Sequence, residues 1–177
     1  ITVKPQEDIV LDLVRNCRVC VLGPGLGSGF DSLIKTVWNS SIPIVLDADG
    51  IRWLARELPR KRAGKLVGTP HPGEAADLLQ GKELDRFETI LHLREHFGGD
   101  WVLKGAGTLI SESKTLWINN LNMPQLGTAG SGDVLAGFVA GVWSMGSQTP
   151  ARTGVWLHSR FAEDAFEKKT APFLTAS

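Results

Sequence analysis

Four short apolar runs, Arg18–Leu22, Pro43–Leu46, Lys65–Gly68 and Trp101–Lys104, constrain this chain most, because helical periodicity separates each from the next. Strands joined by helical crossovers imply a parallel sheet with helices on its faces. From about Pro5 to Asn16, Ile9, Val10, Leu13 and Val14 share one helical face, and Leu33, Ile34, Val37 and Trp38 share another farther on. Helices are also expected near Ile51–Glu57, Gly73–Gln80 and Asp85–Phe97. Beyond Lys104 the pattern changes: Thr108–Ser111 and Thr115–Ile118 read as short strands joined by a polar turn, an antiparallel edge. The stretches Gly130–Met145 and Pro150–Lys168 read as helices. The expected fold is α/β, and no repeat, low-complexity tract or linker divides residues 1–177 into more than one domain.

The composition narrows the function classes. A chain of 177 residues, 42% hydrophobic and 21% charged, suits a globular domain with a sizeable core. Its 19 basic and 19 acidic residues cancel, and Arg60-Lys61-Arg62, read as a solvated turn, is the longest basic run, so no nucleic-acid partner is indicated. With no bilayer-length apolar segment and no signal-like start, the expectation is a cytoplasmic protein, or a mitochondrial one in a eukaryote, without a membrane partner. Cys17 and Cys20 form C-x-x-C, but Cys20 lies inside an apolar run rather than at a helix start, so buried structural thiols are expected.

In open α/β sheets ligands bind beyond the carboxyl ends of the parallel strands. Here those ends read Gly23-Pro24-Gly25-Leu26-Gly27, Asp47-Ala48-Asp49-Gly50, Thr69-Pro70-His71-Pro72-Gly73-Glu74 and Lys104-Gly105-Ala106-Gly107-Thr108. Taken singly, each has an ordinary explanation: turn formation for Gly and Pro, helix capping for Asp47 and Asp49, a helix start for Glu74. Four in succession outline a crevice, and Lys104 at the end of a buried strand requires an anionic partner or a solvent cleft.

A fifth stretch, Leu126–Gly137, runs Gly-Thr-Ala-Gly-Ser-Gly-Asp into an apolar helix. A Gly-rich turn opening a helix leaves several N–H groups unpaired with the positive end of the helix dipole behind them, which suits an anion. Asp133 falls in the first turn, where its charge would repel a phosphate, so a proton-accepting role fits it. Three other motifs fail. Gly23-x-Gly25 is followed by Ser28 where a dinucleotide fingerprint needs glycine, no P-loop pattern is present, and His92-x-x-Glu95-His96 sits in a mixed, exposed helical pattern with no evident third ligand.

Together and in order, these five stretches, with Val102-Leu103-Lys104-Gly105 as the fourth, closely resemble the ADP/ATP-dependent NAD(P)H-hydrate dehydratases, a family of ribokinase-like fold. The resemblance covers nearly the whole chain. It implies a three-layer sandwich with a mainly parallel sheet, and repair of hydrated NADH or NADPH (NADHX, NADPHX) driven by ADP or ATP with Mg²⁺. Carried over by motif, Lys104, Gly105, Ala106, Gly107, Thr108, Thr128, Ala129, Gly130, Ser131 and Gly132 would bind the nucleotide. Gly25, Gly27, Asp49, His71, Pro72 and Glu74, with the stretch on to Asp77, would line the hydrate pocket. Asp133 would face the substrate hydroxyl as the catalytic group; the resemblance assigns no metal ligands. A homo-oligomer is expected. Family members begin with a Gly-rich strand, loop and helix ahead of Ile1 and continue past Thr175-Ala176-Ser177, and many bacterial ones carry an upstream epimerase domain, so a domain incomplete at both ends is expected. The alternatives are a ribokinase-like kinase of the hydroxymethylpyrimidine or hydroxyethylthiazole type and an idle nucleotide-binding fragment. The His71–Glu74 stretch combined with Gly23–Gly27 favours the dehydratase.

Overall fold

A computed structural model describes residues 7–59, 61–121 and 123–167; the expected start of the first helix at Pro5, the expected end of the last at Lys168, Arg60 and Thr175–Ser177 lie outside them. Strands β1 (Cys20–Leu22), β2 (Ile44–Leu46), β3 (Leu66–Gly68) and β4 (Asp100–Leu103) lie side by side in chain order and run parallel. β5 (Leu109–Glu112) and β6 (Thr115–Ile118) then add the antiparallel edge. Leu22 pairs with Leu46 and Leu46 with Gly68, so the first three strands end in register and their loops emerge along one rim.

The pleat sends alternate residues to opposite faces. Ile44, Leu46, Leu66, Trp101, Leu103 and Leu109 pack into one core with Leu33, Ile34, Val37 and Trp38 of α2 (Asp31–Asn39), Ile51, Trp53 and Leu54 of α3 (Asp49–Glu57), and Ile90 and Leu93 of helix Arg86–Phe97. Val45, Val67, Val102 and Ile110 face a second core with Leu135, Ala136, Val139, Ala151 and Val155 from helices Ser131–Ser144 and Pro150–Glu167. Three layers result, and each fully buried aliphatic side chain contributes about 2 kcal/mol. In chain order the helices are α1 (Glu7–Arg15), α2, α3, α4 (Pro72–Leu78), α5 (Arg86–Phe97), α6 (Ser131–Ser144) and α7 (Pro150–Glu167); none is long and apolar enough to cross a membrane.

Two glycines let the layers close. A Cβ on Gly68 would meet the Trp101 ring at 2.4 Å, and one on Gly154 would lie 2.6–2.9 Å from Val139, where α7 crosses α6. The start of α7 is held by the buried Glu112, whose Oε1 accepts the Ala151 N–H at 2.7 Å.

α1 forms as expected and packs chiefly along α2, with Val14 buried and Val10 packed against the core, while Ile9 and Leu13 are 56% and 62% exposed. Two expectations are corrected. The cysteines do not form a buried pair: Cys17 is exposed just past α1, and Cys20 is half-buried on the edge strand β1, its thiol pKa raised by burial first and by Cys17 second. Arg62 is no solvated turn residue either. Its Nη2 donates to the Ser40 and Ile42 carbonyls at 2.7 Å each, it stands 5.8 Å from the Trp38 ring, and burial lowers its pKa to about 10.

Candidate active site

Lys104 follows β4 and Asp47 follows β2, and the sheet brings their side chains together across β3. Lys104 Nζ lies 2.8 Å from Asp47 Oδ1 and 3.8 Å from Glu74 Oε2; the carboxylate side chains are 1% and 6% exposed and the lysine 19%. The anionic partner required by a lysine at a strand end is therefore a pair of buried acids. Asp47 does not cap the helix that follows, the ordinary alternative for it, since the N-cap of α3 is Ala48 and no side-chain hydrogen bond closes that helix start. Ala48 has φ +47°, a conformation that L-residues rarely adopt, so local strain accompanies Asp47 at this rim.

His71 and Glu74 form a capping box at α4. The His71 Nδ1 accepts the N–H groups of Gly73 and Glu74 at 3.0 and 3.2 Å, and Glu74 Oε2 accepts the His71 N–H at 2.8 Å. With Nδ1 accepting, the ring proton sits on Nε2, 3.6 Å from Glu74 Oε1. Glu74 thus serves its own helix, His71 and Lys104 at once.

Opposite them, Gly130 at φ +83° is the N-cap of α6, with no side-chain bond to the free helix end. The Ser131 hydroxyl donates to the Leu126 carbonyl. A Cβ on Gly132 would lie 3.1 Å from Lys104 Nζ and 3.6 Å from Asp47 Oδ2, so glycine there lets the helix start close onto the ion pair. Asp133 follows in the first turn, exposed to solvent.

A cleft of about 620 Å³ opens between the Lys104–Thr108 turn and α6. Of the residues singled out in the sequence, His71, Pro72, Lys104, Gly105, Ala106, Thr108, Thr128, Ser131 and Gly132 line it. Gly107, Ala129, Gly130 and Asp133 adjoin those residues in the chain without lining it, and Glu74, two positions past Pro72, does not line it either. Gly25, Gly27 and Asp49 do not line it; Gly27 N–H donates to Asp49 Oδ2 at 2.8 Å, and Asp49 Oδ1 holds Arg52 at 2.5 Å. Gly23, at φ +125°, is fixed by contact, since a Cβ there would fall 1.8 Å from the Asp47 carbonyl.

Sequence reasoning missed the far wall. Asn119, Met123, Leu135, Val155, His158 and Ser159 complete the cleft, Asn119 Nδ2 donating to Ser159 Oγ at 2.8 Å. Burial lowers the His158 pKa, so its ring is neutral at physiological pH. One signal was available: on α7, Ala151, Gly154, Val155, His158, Ser159 and Ala162 form a single buried stripe, and two polar residues within such a stripe flag a site. One end of the cleft carries N–H groups and a lysine, the other apolar walls with a few polar atoms, a division suited to a phosphate joined to a flat heterocycle. His92 and His96 stack at 6.0 Å on α5, with His92 Nε2 3.4 Å from Lys82 Nζ. Among the described residues no group of three or more His, Cys, Asp or Glu could hold a metal ion.

Residues 2–177 match a protein family described as NAD(P)H-hydrate dehydratase. The chain is 38% identical over 170 residues to the bifunctional NAD(P)H-hydrate repair enzyme Nnr of Coxiella burnetii, covering 91% of this chain and 34% of that protein. It is 34% identical over 165 residues to the ADP-dependent (S)-NAD(P)H-hydrate dehydratase of Neisseria meningitidis, covering 84% of this chain and 55% of that one. The crystal structure of the ADP/ATP-dependent NAD(P)H-hydrate dehydratase of Bacillus subtilis, co-crystallized with ATP/Mg²⁺ and soaked with CoA, superposes with a TM-score of 0.75 at 28% identity, over 90% of this chain and 61% of that one. A ribokinase-like superfamily protein of Enterococcus faecalis shares the fold with a TM-score of 0.79 at 23% identity, over 96% of this chain and 62% of that one. The chain thus spans about a third of the bifunctional relatives' length.

Proposed function

The chain belongs to the NAD(P)H-hydrate dehydratase family, and from that premise we propose that it restores hydrated NADH or NADPH to the reduced dinucleotide at the expense of ADP or ATP. The observation that carries the reading is the meeting of Lys104, the Gly105–Thr108 turn and the uncapped start of α6 at one end of a single cleft. Donors of this kind, already oriented, stabilise the charge of a transferring phosphoryl group.

In this reading the nucleotide phosphates lie against Lys104 to Thr108 and Thr128 to Gly132, and Asp133 accepts the proton of the substrate hydroxyl. The hydroxyl oxygen bonds to the terminal phosphorus as the bond to the departing nucleotide breaks. Hydroxide is a poor leaving group and phosphate a good one. The ring nitrogen then supplies an electron pair, the C–O bond breaks with its electrons on phosphate, and loss of a proton from the adjacent carbon restores the dihydropyridine. His71, Pro72 and Glu74, with Gly25, Gly27 and Asp49 across the rim, would hold the damaged ring. Mg²⁺ fits as an ion carried by the nucleotide, since such ions bind through substrate phosphates and one or two carboxylates and need no all-protein cage; when bound it neutralises phosphate charge. The reading includes a homo-oligomer, which sedimentation equilibrium tests.

The test is recovery of reduced-nicotinamide absorbance from enzymatically hydrated NADH with ADP or ATP. Asp133→Asn should keep the fold and nucleotide binding while lowering turnover at least about 100-fold, the range of a general base. Near-full activity of that variant would remove Asp133 from the chemistry.

A further inference from the structure

Arg86, the first residue of α5, stands behind the Lys104–Thr108 turn. Gly105, Ala106 and Thr108 line the cleft and Arg86 does not. Its Nη1 donates to the Ala106 carbonyl at 2.6 Å and its Nη2 to the Gly107 carbonyl at 3.1 Å, while its Nε is buried without a hydrogen-bond partner. The peptide units it grips are flanked by Gly105 at φ +128° and Gly107 at φ +61°. Glycine permits such units to rotate at little cost, and a rotated unit would present a carbonyl oxygen where an N–H stood. In a planar trans peptide the C=O and N–H point in opposite directions. Carbonyls pinned to the guanidinium therefore turn the next two N–H groups, those of Gly107 and Thr108, away from Arg86 and toward the cleft side. The Thr108 hydroxyl closes the turn by donating to the Gly105 carbonyl at 3.0 Å.

We propose that Arg86 is a positioning residue for the nucleotide: it locks the turn with N–H groups forward and carbonyls back, and places a positive charge behind an anion subsite. The proposal rests on the reading of this turn as nucleotide-binding. Arginine suits the task because one rigid fork holds two carbonyls, whereas a lysine ammonium on a flexible stem does not fix both.

Titration calorimetry of the whole chain with ADP, in wild type, Arg86→Gln and Arg86→Lys, tests it. The expected result is a Kd for ADP raised about tenfold in Arg86→Gln, the loss of one charge-assisted hydrogen bond. Arg86→Lys should fall between, and the KM for the hydrated dinucleotide should stay within about twofold of wild type, a split that general structural damage would not produce. In Arg86→Ala, millimolar guanidinium should recover part of the ADP affinity. Unchanged ADP affinity in Arg86→Gln, or equal loss of affinity for both substrates, overturns the proposal while leaving the nucleotide site intact. A wild-type chain that binds no ADP overturns the nucleotide reading, and the proposal with it.

Discussion

Replacing Asp47 by Asn keeps the side chain's shape and removes one charge from the ion cluster beneath α6. At 2.8 Å the Lys104–Asp47 attraction is about 6 kcal/mol for an effective dielectric of 20, and the Lys104–Glu74 attraction at 3.8 Å is about 4 kcal/mol. The net loss is smaller, because the substitution also removes the cost of burying Asp47. Breaking a buried pair by removing one partner typically costs 3–5 kcal/mol; Glu74 remains and Lys104 keeps 19% exposure, so the low end applies, about 3 kcal/mol. For a chain of this length that lowers the thermal midpoint by about 6–12 °C. Urea unfolding followed by fluorescence of the buried Trp38, Trp53 and Trp101 measures it. A loss below about 1 kcal/mol, the value of an exposed pair, would refute the reasoning by showing that Lys104 simply turns to water.

Two more changes probe α7. Gly154→Ala places a methyl 2.6–2.9 Å from Val139 Cγ2, Cα and N, and backbone atoms cannot step aside, so a loss of about 1–3 kcal/mol and a lower urea midpoint are expected. An unchanged midpoint would show that α7 slides freely on α6. His158 has a lowered folded-state pKa, because burial disfavours its charged form. The unfolded chain therefore takes up the proton first, and the stability tied to neutral His158 is present above about pH 6.5 and lost as pH falls through the lowered value. Unfolding curves from about pH 7.5 to 5 should show wild type losing stability relative to His158→Asn; parallel curves would contradict the burial argument.

The layers of the fold were legible because each element carried its own local signal. Leu33, Ile34, Val37 and Trp38 spell an amphipathic helix and are buried together in α2, and the β4-β5-β6 edge could be read from its polar turn. The sheet's carboxyl rim followed from topology. What escaped depended on long-range contact. Asp47 looked like a cap because its sequence neighbours begin a helix, yet its partner Lys104 is 57 positions away. Arg62 belonged to a basic run, and only the fold reveals Trp38 and two carbonyls around it. Asn119 and Ser159, 40 positions apart, gave no joint signal.

The cluster at the start of α6 also limits how a phosphate could be held there. Two buried carboxylates face one lysine, so formal charge at the rim favours a cation over an anion. Attraction for a phosphate there would therefore draw on dipoles aimed at it, the uncapped N–H groups of α6 and those of the Gly105–Thr108 turn, with the Arg86 charge behind that turn. Dipoles act only when correctly oriented, whereas a charge acts from any direction. This explains why glycine occupies 130, 132, 105 and 107, where the backbone must turn sharply or approach closely, and why that freedom is then restrained by Ser131 on Leu126, Thr108 on Gly105 and Arg86 on Ala106 and Gly107.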